Sequence, residues 1–482
     1  MLPSTLMPES MPRPSETTLG ELRAGGYRSR SVKEELRANL IERIRGKQPF
    51  LPGILGYDET VLPQLENAIL AGQDVILLGE RGQAKSRIAR SLVGLLDPWL
   101  PYVAGTELHD DPLHPVSPLA RSIVAESGDA TPIAWWAADD RYSEKLSTPD
   151  ISIADLIGEV DPVKVAEGRY LSDELTIHYG LLPRTHRGIF SLNELPDLAE
   201  RIQVGLLNVM EERDVQVRGY RVRLELDLFV IASANPEDYT SRGRIITPLK
   251  DRFGAQIRTH YPEDSAIEIA IMEAEANAYE LGTADASVPV QVPGFMKEVV
   301  AELSQLARRS SEVSQRSGVS VRVAIANHET LAAAALKRAV RLDEPAAAPR
   351  ISDLPAVVAS TAGKIELETL GDETREDRVV EKLVARAVVS VFNRHFALSE
   401  LAALIERFET EGLEAEVGEF VPSSAHGRLV ASIPELRSAI ARLDAGESTA
   451  GIASAAEFVL EGLHLNRRLN KERRAGGIRY AR

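Results

Sequence analysis

The sequence contains no cysteine among its 482 residues. This absence excludes disulfide bonds, thiolate nucleophiles, and zinc or iron–sulfur sites with cysteine ligands. Long apolar runs are also lacking, since none approaches the roughly 18 residues needed to cross a bilayer. The first residues do not show the charged-then-apolar order of a secretory signal. We therefore expect a cytoplasmic protein that makes no use of a membrane.

Positive charge is scarce in the chain as a whole. The 56 Lys and Arg residues are outnumbered by 72 Asp and Glu, which gives a net charge of −16. This balance makes nucleic acid an unlikely partner. Two stretches are locally basic, namely residues 27–48, which favour a solvated helix, and the tail RRLNKERRAGGIRYAR, which we expect to be disordered or docked on an acidic partner.

The middle of the chain alternates short apolar runs with amphipathic helical segments, from residue 51 to about 262. Strands are predicted at 74–78, 188–192 and 227–232. Such alternation favours a parallel sheet covered by helices. Beyond residue 263 the apolar spacing is helical, and 344–350 is predicted to be a linker or long loop.

The stretch GERGQAKS, residues 79–86, matches the phosphate-binding pattern G-x-x-x-x-G-K-[ST] except at one position. It follows a strand-like run and precedes a helical segment, which is the context that such a loop needs. Lys85 would reach the β- and γ-phosphates of a nucleotide, and the Ser86 hydroxyl would bind Mg²⁺. Ala84 replaces the second glycine, and its methyl group is tolerable at negative φ but damaging at positive φ. We expect a working ATP-binding loop.

A second run, at 189–192, ends in Asn193-Glu194, where a Walker B strand ends in Asp-Glu. Glu194 would polarise the attacking water. The Asn193 amide can accept a hydrogen bond from a water bound to Mg²⁺, but it carries no negative charge. Slow but real hydrolysis is therefore expected.

A third run leads into Asn235, and Arg252 follows in LKDRF. Between the second and third runs, DVQVRGYRVRLEL alternates around Gly219-Tyr220, which predicts a β-hairpin.

Taken in order, these stretches resemble the AAA+ ATPases of the MoxR and magnesium-chelatase ATPase-subunit type. The resembling motifs are GILGYDE, GERGQAKS, DLIGEVDP, GLLPRTHRGIF, NELPDL, SANPEDYTSRG and LKDRF. The resemblance covers residues 51–262 and reaches more loosely to about 395. It implies an α/β fold with a P-loop parallel sheet domain, an all-helical lid and a helical C-terminal region. The expected parts are a flexible leader with a basic helical segment (1–48), the ATPase core (49–262), the lid (263–395) and the C-terminal region with its basic tail (396–482).

The resemblance also implies roles for single residues. Asn235 would be the sensor that orients water near the γ-phosphate, Arg252 the arginine finger inserted into a neighbouring subunit, and Arg322 the second sensor. Mg²⁺ would be held by Ser86 and, through water, by Asn193. The residues expected to bind the nucleotide are Ile54, Leu55 and Tyr57 beside the adenine, and Gly79, Gly82, Ala84, Lys85, Ser86 and Arg87 in the loop.

Members of this family work as rings, usually hexamers, because the arginine finger acts in trans. The resemblance implies a ring that uses ATP and Mg²⁺ to remodel a protein partner, commonly one with a von Willebrand A domain. Two alternatives stay open, namely the ATPase subunit of a magnesium or cobalt chelatase and a nucleotide-dependent assembly scaffold. A sigma-54 activator is disfavoured because the sequence has no GAFTGA-like loop.

One further stretch, ELHDDPLHP, holds histidines and carboxylates that could suggest a metal site, namely His109, Asp110, Asp111 and His114. Its two prolines favour an ordinary polar loop. Trp135 and Trp136 are expected to pack inside the insertion around them.

Overall fold

The chain divides into two compact units, Met1–His260 and Tyr261–Arg482. The computed structural model describes residues 11–160, 177–212, 215–217, 220–222, 224–235, 243–276, 288–314, 318–367, 373–474 and 477–482. The division lies close to residue 262, where the helical region was expected to begin. The finer division into four parts remains a prediction.

The first unit combines strands and helices. Its described strands are β1 (Val75–Leu78), β2 (Trp99–Val103), β3 (Ile133–Ala137), β4 (Tyr142–Leu146), β5 (Gly158–Val160), β6 (Ile177–Tyr179), β7 (Gly188–Asn193), β8 (Val215–Val217), β9 (Tyr220–Val222), β10 (Leu228–Ala234) and β11 (Ala255–Arg258). Its described helices are α1 (Leu19–Ala24), α2 (Val32–Arg45), α3 (Val61–Leu70), α4 (Lys85–Ser91), α5 (Pro118–Ser127), α6 (Ile153–Leu156), α7 (Leu181–Arg184), α8 (Glu200–Glu212) and α9 (Thr247–Arg252).

Five of these strands form one parallel sheet in the order β11-β1-β10-β7-β4. The three predicted strands are its three central members, β1, β10 and β7, so the α/β fold class is confirmed. The two edge strands, β4 and β11, were not predicted. Their sequences, YSEKL and AQIR, are only partly buried and therefore carry polar residues.

Both faces of the sheet are buried, since alternate residues along each central strand belong to different cores. On β1, for example, Ile76 packs in one core while Val75 and Leu77 pack in the other. Because all five strands are parallel, their carboxyl ends lie along one edge. The register pairs Leu78 with Ala234 and Ala232 with Leu192, so the loops after β1, β10 and β7 are neighbours.

The second unit is mainly helical, as expected. Its described helices are α10 (Ser265–Glu275), α11 (Gly294–Arg309), α12 (Val321–Arg341), α13 (Val357–Thr361), α14 (Glu373–His395), α15 (Ala402–Thr410), α16 (Ser423–Ser432), α17 (Pro434–Ile440) and α18 (Thr449–Leu465), and its described strands are β12 (Ala415–Val417), β13 (Asn470–Arg474) and β14 (Gly477–Ala481). The strands form an antiparallel sheet in the order β12-β14-β13.

The basic tail belongs to this small sheet, so its prediction as disordered or docked on a partner was wrong. Tyr480 of β14 is 1% exposed, and its hydroxyl donates to Glu461. Lys471 of β13 donates to the same carboxylate over 2.8 Å. A buried aromatic ring and this carboxylate hold the tail against the unit.

Residues 344–350 form a loop, which is one of the two alternatives predicted for them, but this loop is not a loose linker. The proposed linker at 344–350 is packed into the interior, where the fully buried Arg350 lies 3.3 Å from Glu344 and donates to the carbonyl oxygen of Val421. In the supposed flexible leader, α1 buries Leu19 and Leu22 against Ile133. Packing therefore holds residues 19–24, whereas residues 1–10 of the expected leader lie outside the described residues.

Among the described residues, no single helix has the length and apolar character required to cross a membrane. One pair, Glu376–His395 with Leu398–Thr410, passes by length and composition together but is bent by 83°.

Candidate functional site

The loop between β1 and α4 adopts left-handed backbone conformations at two positions. Gly82 has φ 77° and Ala84 has φ 56°. Glycine accepts this geometry freely, whereas in alanine it costs about 1–2 kcal/mol. Ala84 therefore adopts the conformation in which its methyl group is unfavourable, and the expectation of a freely tolerated alanine needs correction. The loop keeps left-handed backbone conformations at both positions, and the strain lies at Ala84.

Gly79 is required by close packing. A Cβ atom at this position would lie 2.0 Å from Thr259 Oγ1 and 2.2 Å from Gln83 Oε1. Thr259 donates to Gln83 Oε1 over 2.7 Å, and the Glu80 amide donates to the same oxygen over 3.1 Å. The end of β11 thus braces the loop. Sequence reasoning missed Gln83 and Thr259, because no motif links them.

The three residues expected beside the adenine differ in exposure. Ile54 and Tyr57 are each 5% exposed, while Leu55 is 38% exposed. The Tyr57 hydroxyl lies 2.9 Å from the carbonyl oxygen of Gln83 and 2.8 Å from that of His260, so it donates to one of them at a time. Burial raises the pKa of Tyr57 well above its usual value. Tyr57 supports the loop from behind, and its contact with adenine remains a prediction.

Lys85 is buried beneath the loop and connects it to the next strand. Its ammonium group donates to the carbonyl oxygens of Gly79 and Glu80, the latter over 2.8 Å. It also donates to Asn235 Oδ1 over 2.8 Å. The predicted phosphate-binding lysine and the predicted sensor are therefore in direct contact, as neighbouring strands β1 and β10 require.

Asn193, at the end of β7, lies opposite Ser86. The hydroxyls of Ser86 and Ser233 each donate to Asn193 Oδ1 over 3.4 Å, and the Asn193 amide group donates to Glu144 of β4. The next residue, Glu194, has φ 54°, and its backbone amide donates to Ser233 Oγ over 3.3 Å. The two predicted Walker B residues thus stand at the same sheet edge as Lys85 and Ser86.

Ser233 and Glu144 were not named as site residues from the sequence. Ser233 begins the SANPEDYTSRG stretch, so its position two residues before Asn235 was a usable signal. Glu144 lies in an unpredicted edge strand and follows no motif.

The donor set fits Mg²⁺ that arrives with a nucleotide. A serine hydroxyl and an amide oxygen are hard oxygen ligands, which Mg²⁺ prefers. Among the residues that the structure describes, no group of three or more His, Asp or Glu side chains could hold a metal unaided. Mg²⁺ is commonly bound by few protein oxygens together with substrate phosphates, which matches this arrangement.

Of the remaining predicted residues, Arg87 and Arg252 belong to the first unit and Arg322 to the second. Arg252 is the last residue of α9, exposed, and it donates to Glu211 of α8, which raises the pKa of Arg252. Arg322 is exposed at the start of α12 in the second unit, and its role remains a prediction. Arg87 of α4 is half-buried, and burial lowers its pKa.

The ELHDDPLHP stretch forms a polar loop, as expected. Asp110 accepts hydrogen bonds from the backbone amides of Val116 and Ser117, over 2.8 Å and 2.6 Å. His109 stacks on Trp136 with ring centroids 3.8 Å apart. The hydrogen bonds to Asp110 and the stacking of His109 explain why these two side chains are held in the loop.

Comparison with known proteins gives matches to two groups. The profile of the sigma-54 interaction domain family matches residues 167–251, which include Asn193, Glu194 and Asn235 but not Lys85. The chloroplastic magnesium-chelatase subunit ChlI of Oryza sativa subsp. indica is 28% identical over 255 residues, covering 52% of this chain and 57% of that protein. The ChlI-1 subunit of Arabidopsis thaliana is 28% identical over 254 residues, covering 49% and 56%.

The chain spans just over half the length of these curated relatives. Among solved structures, a complex between subunits BchI and BchD of magnesium chelatase aligns with a TM-score of 0.33 and 19% identity, over 69% of this chain and 98% of that chain.

Proposed function

We propose that this chain, an AAA+ protein of the magnesium-chelatase ATPase-subunit type, binds ATP with Mg²⁺ and hydrolyses it to ADP and phosphate. The observation that carries the proposal is the meeting of four groups at one sheet edge. Lys85 Nζ contacts Asn235 Oδ1, and Ser86 Oγ contacts Asn193 Oδ1. Lys85 and Ser86 supply the cation and the hydroxyl that a phosphate-binding loop uses, and the two amide oxygens lie beside them.

Each side chain has a separate task in hydrolysis. Lys85 would bind the phosphate oxygens. Ser86, and Asn193 through water, would hold Mg²⁺, which would neutralise negative charge on those oxygens. Glu194, held at the sheet edge through its backbone amide, accepts the proton of the attacking water. Asn235 orients that water. The missing charge at Asn193 makes turnover slow.

The arginine that stabilises the transferring phosphate comes from a neighbouring copy of the chain. Arg252 is exposed at the end of α9 and pairs with Glu211 rather than with the Lys85 group. An exposed arginine paired with an exposed carboxylate can exchange partners when two subunits meet, because such pairs contribute little. The protein accordingly works as a ring of identical subunits, with six as the expected number.

The ring acts on a protein partner, for which a von Willebrand A domain protein is the first candidate. Strands β8 and β9 pair antiparallel within the stretch predicted to be a hairpin, and this stretch is expected to move with hydrolysis. A second candidate is the ATPase subunit of a magnesium or cobalt chelatase, favoured by the identity to ChlI subunits. A scaffold that binds ATP and scarcely hydrolyses it is the third.

Phosphate release from ATP and Mg²⁺ by the purified full chain tests the proposal. Glu194→Gln keeps the shape of the side chain but removes the base, so we expect turnover to fall by about 100-fold or more. Equal phosphate release by the wild type and Glu194→Gln would overturn the proposal that the protein hydrolyses ATP. Nucleotide-dependent ring formation without release would favour the scaffold instead.

Co-purification from the native host with ATP present separates the two energy-using roles. The Glu194→Gln variant should retain partners longer, since it holds ATP. Recovery of a von Willebrand A protein favours remodelling, and recovery of a large chelatase catalytic subunit favours metal insertion.

A further inference from the structure

Glu144 places a carboxylate beside the position where the Walker B aspartate is missing. It lies on β4, the edge strand that pairs in parallel with β7, and it is in register with Ser191. Residues in register on neighbouring strands point to the same face, as do residues two apart on one strand. Glu144 and Asn193 therefore share the face that carries Ser86.

The contact between them fixes the orientation of the Asn193 amide. Glu144 Oε1 accepts a hydrogen bond from Asn193 Nδ2. A carboxylate only accepts, so the nitrogen end of the amide must face Glu144 and the oxygen end must face away. That oxygen is where Ser86 and Ser233 donate, at 3.4 Å each.

The other carboxylate oxygen is held on the opposite side. Glu144 Oε2 accepts from Arg90 Nε over 2.7 Å and from the Tyr142 hydroxyl over 3.3 Å. The Glu144 side chain is 20% exposed, while that of Arg90 is 53% exposed. Solvent screens the arginine charge more than that of the carboxylate, so a negative charge remains next to Asn193.

We propose that Asn193 and Glu144 together replace the Walker B aspartate. Asn193 supplies the oxygen that faces a water of Mg²⁺, and Glu144 supplies the negative charge and the orientation of the amide. Glu144 is thus a positioning residue that acts through Asn193. This inference rests on the proposed function, since it concerns how the ATP-bound Mg²⁺ is held.

Exchange of the two side chains tests the inference. Glu144→Gln removes the charge, and Asn193→Asp sets two carboxylates against each other. The double variant restores one carboxylate and one amide in the reverse order. The readout is the binding of a fluorescent non-hydrolysable ATP analogue to the full chain, measured with increasing Mg²⁺ and again in EDTA.

For the wild type we expect Mg²⁺ to tighten binding of the analogue. In Glu144→Gln the Mg²⁺ concentration needed should rise about 10-fold, as is usual for loss of a group behind a metal ligand. Affinity in EDTA should stay within about 2-fold. Asn193→Asp alone should also be impaired, and the double variant should recover most of the wild-type response. Glu107→Gln, which removes another carboxylate paired with an arginine (Arg184), is the matched control and should match the wild type.

Two negative results have different meanings. An unchanged Mg²⁺ response in Glu144→Gln, or equal loss in EDTA, or no recovery in the double variant, would overturn the role of Glu144 alone. Failure of the wild type to bind the analogue under either condition would overturn the proposed nucleotide site, and this inference with it.

Discussion

The ammonium group of Lys85 donates a hydrogen bond to Asn235 Oδ1 over 2.8 Å, although 150 residues separate the two in sequence. The parallel register of β1 and β10, which pairs Leu78 with Ala234, brings them together. The lysine proposed to bind phosphate and the amide proposed to orient water are thereby joined by a hydrogen bond. A negative charge introduced at position 235 should therefore attract the Lys85 ammonium group and compete with phosphate for it.

Asn235→Asp should weaken ATP binding more than Asn235→Ala does. The aspartate would form an ion pair with Lys85, worth about 1–3 kcal/mol, that competes with phosphate. We expect roughly 10-fold weaker binding for Asn235→Asp. Asn235→Ala leaves the lysine available but removes the sensor, so turnover falls while affinity changes little. Titration of a fluorescent ATP analogue with both variants checks this, and equal affinities would contradict it.

Ala84→Gly should stabilise the protein. Relief of the left-handed strain should raise the free energy of unfolding by about 1–2 kcal/mol. The greater conformational freedom of glycine in the unfolded chain should lower it by about 0.4–1 kcal/mol. Chemical unfolding should show a net gain of up to about 1.6 kcal/mol. Ala125→Gly, at an exposed position in the last turn of α5, is the control and should lose up to about 1 kcal/mol. A loss at both positions would contradict strain at Ala84.

His186 should make stability fall below neutral pH. Burial, with Arg187 and His109 nearby, lowers the pKa of His186 to about 3, and its Nδ1 accepts from the Asp227 amide over 3.0 Å. The folded state binds fewer protons than the unfolded state, whose histidine titrates near 6.5. Stability is therefore complete above pH 6.5 and is lost toward pH 3, by roughly 1 kcal/mol for each pH unit.

Urea unfolding at pH 7 and pH 5.5 measures this slope. His186→Gln should flatten it only in part, because burial also lowers the pKa of His109. The exposed His178→Gln is the control for replacing a histidine by glutamine, and its slope is compared with that of His186→Gln. A slope of wild-type size in His186→Gln would refute the assignment.

Tyr480 should anchor the C-terminal sheet. The side chain is 1% exposed and its hydroxyl donates to Glu461. Tyr480→Ala leaves a cavity and should cost about 3–5 kcal/mol of unfolding free energy, while Tyr480→Phe should cost about 1 kcal/mol. Phe420→Ala removes a ring that is 59% exposed and should change stability by less than about 0.5 kcal/mol. Similar losses for Tyr480→Ala and Phe420→Ala would mean that the tail is not anchored.

The central part of the fold was predictable because it depends on local patterns. β1, β7 and β10 are buried on both faces, so their sequences are mainly apolar. The edge strands β4 and β11 each pair with only one strand of this sheet. Their polar residues interrupt the apolar pattern by which a strand is predicted from sequence. The basic tail was misjudged from its charge, although the alternation around the buried Tyr480 was the better signal.

The same distinction applies to the site. Lys85, Ser86, Asn193, Glu194 and Asn235 follow motifs with fixed spacing, and the sheet register then brings them to one edge. Glu144, Gln83 and Thr259 act through partners that are distant in sequence. No periodicity or spacing predicts such contacts, because they arise only when the strands are paired.

Arg252 offers the sharpest test of assembly, since its action in trans can be separated from its action within one chain. Arg252→Ala should lower hydrolysis by about 10³-fold or more, and Arg252→Lys should not restore it, because lysine lacks the planar fork of arginine. Arg252→Ala keeps an intact nucleotide site, whereas Glu194→Gln keeps an intact arginine. If the arginine serves a neighbour, mixing these two inactive variants should recover part of the phosphate release. If it serves its own site, every mixture will stay inactive, and the ring proposal loses its main chemical support.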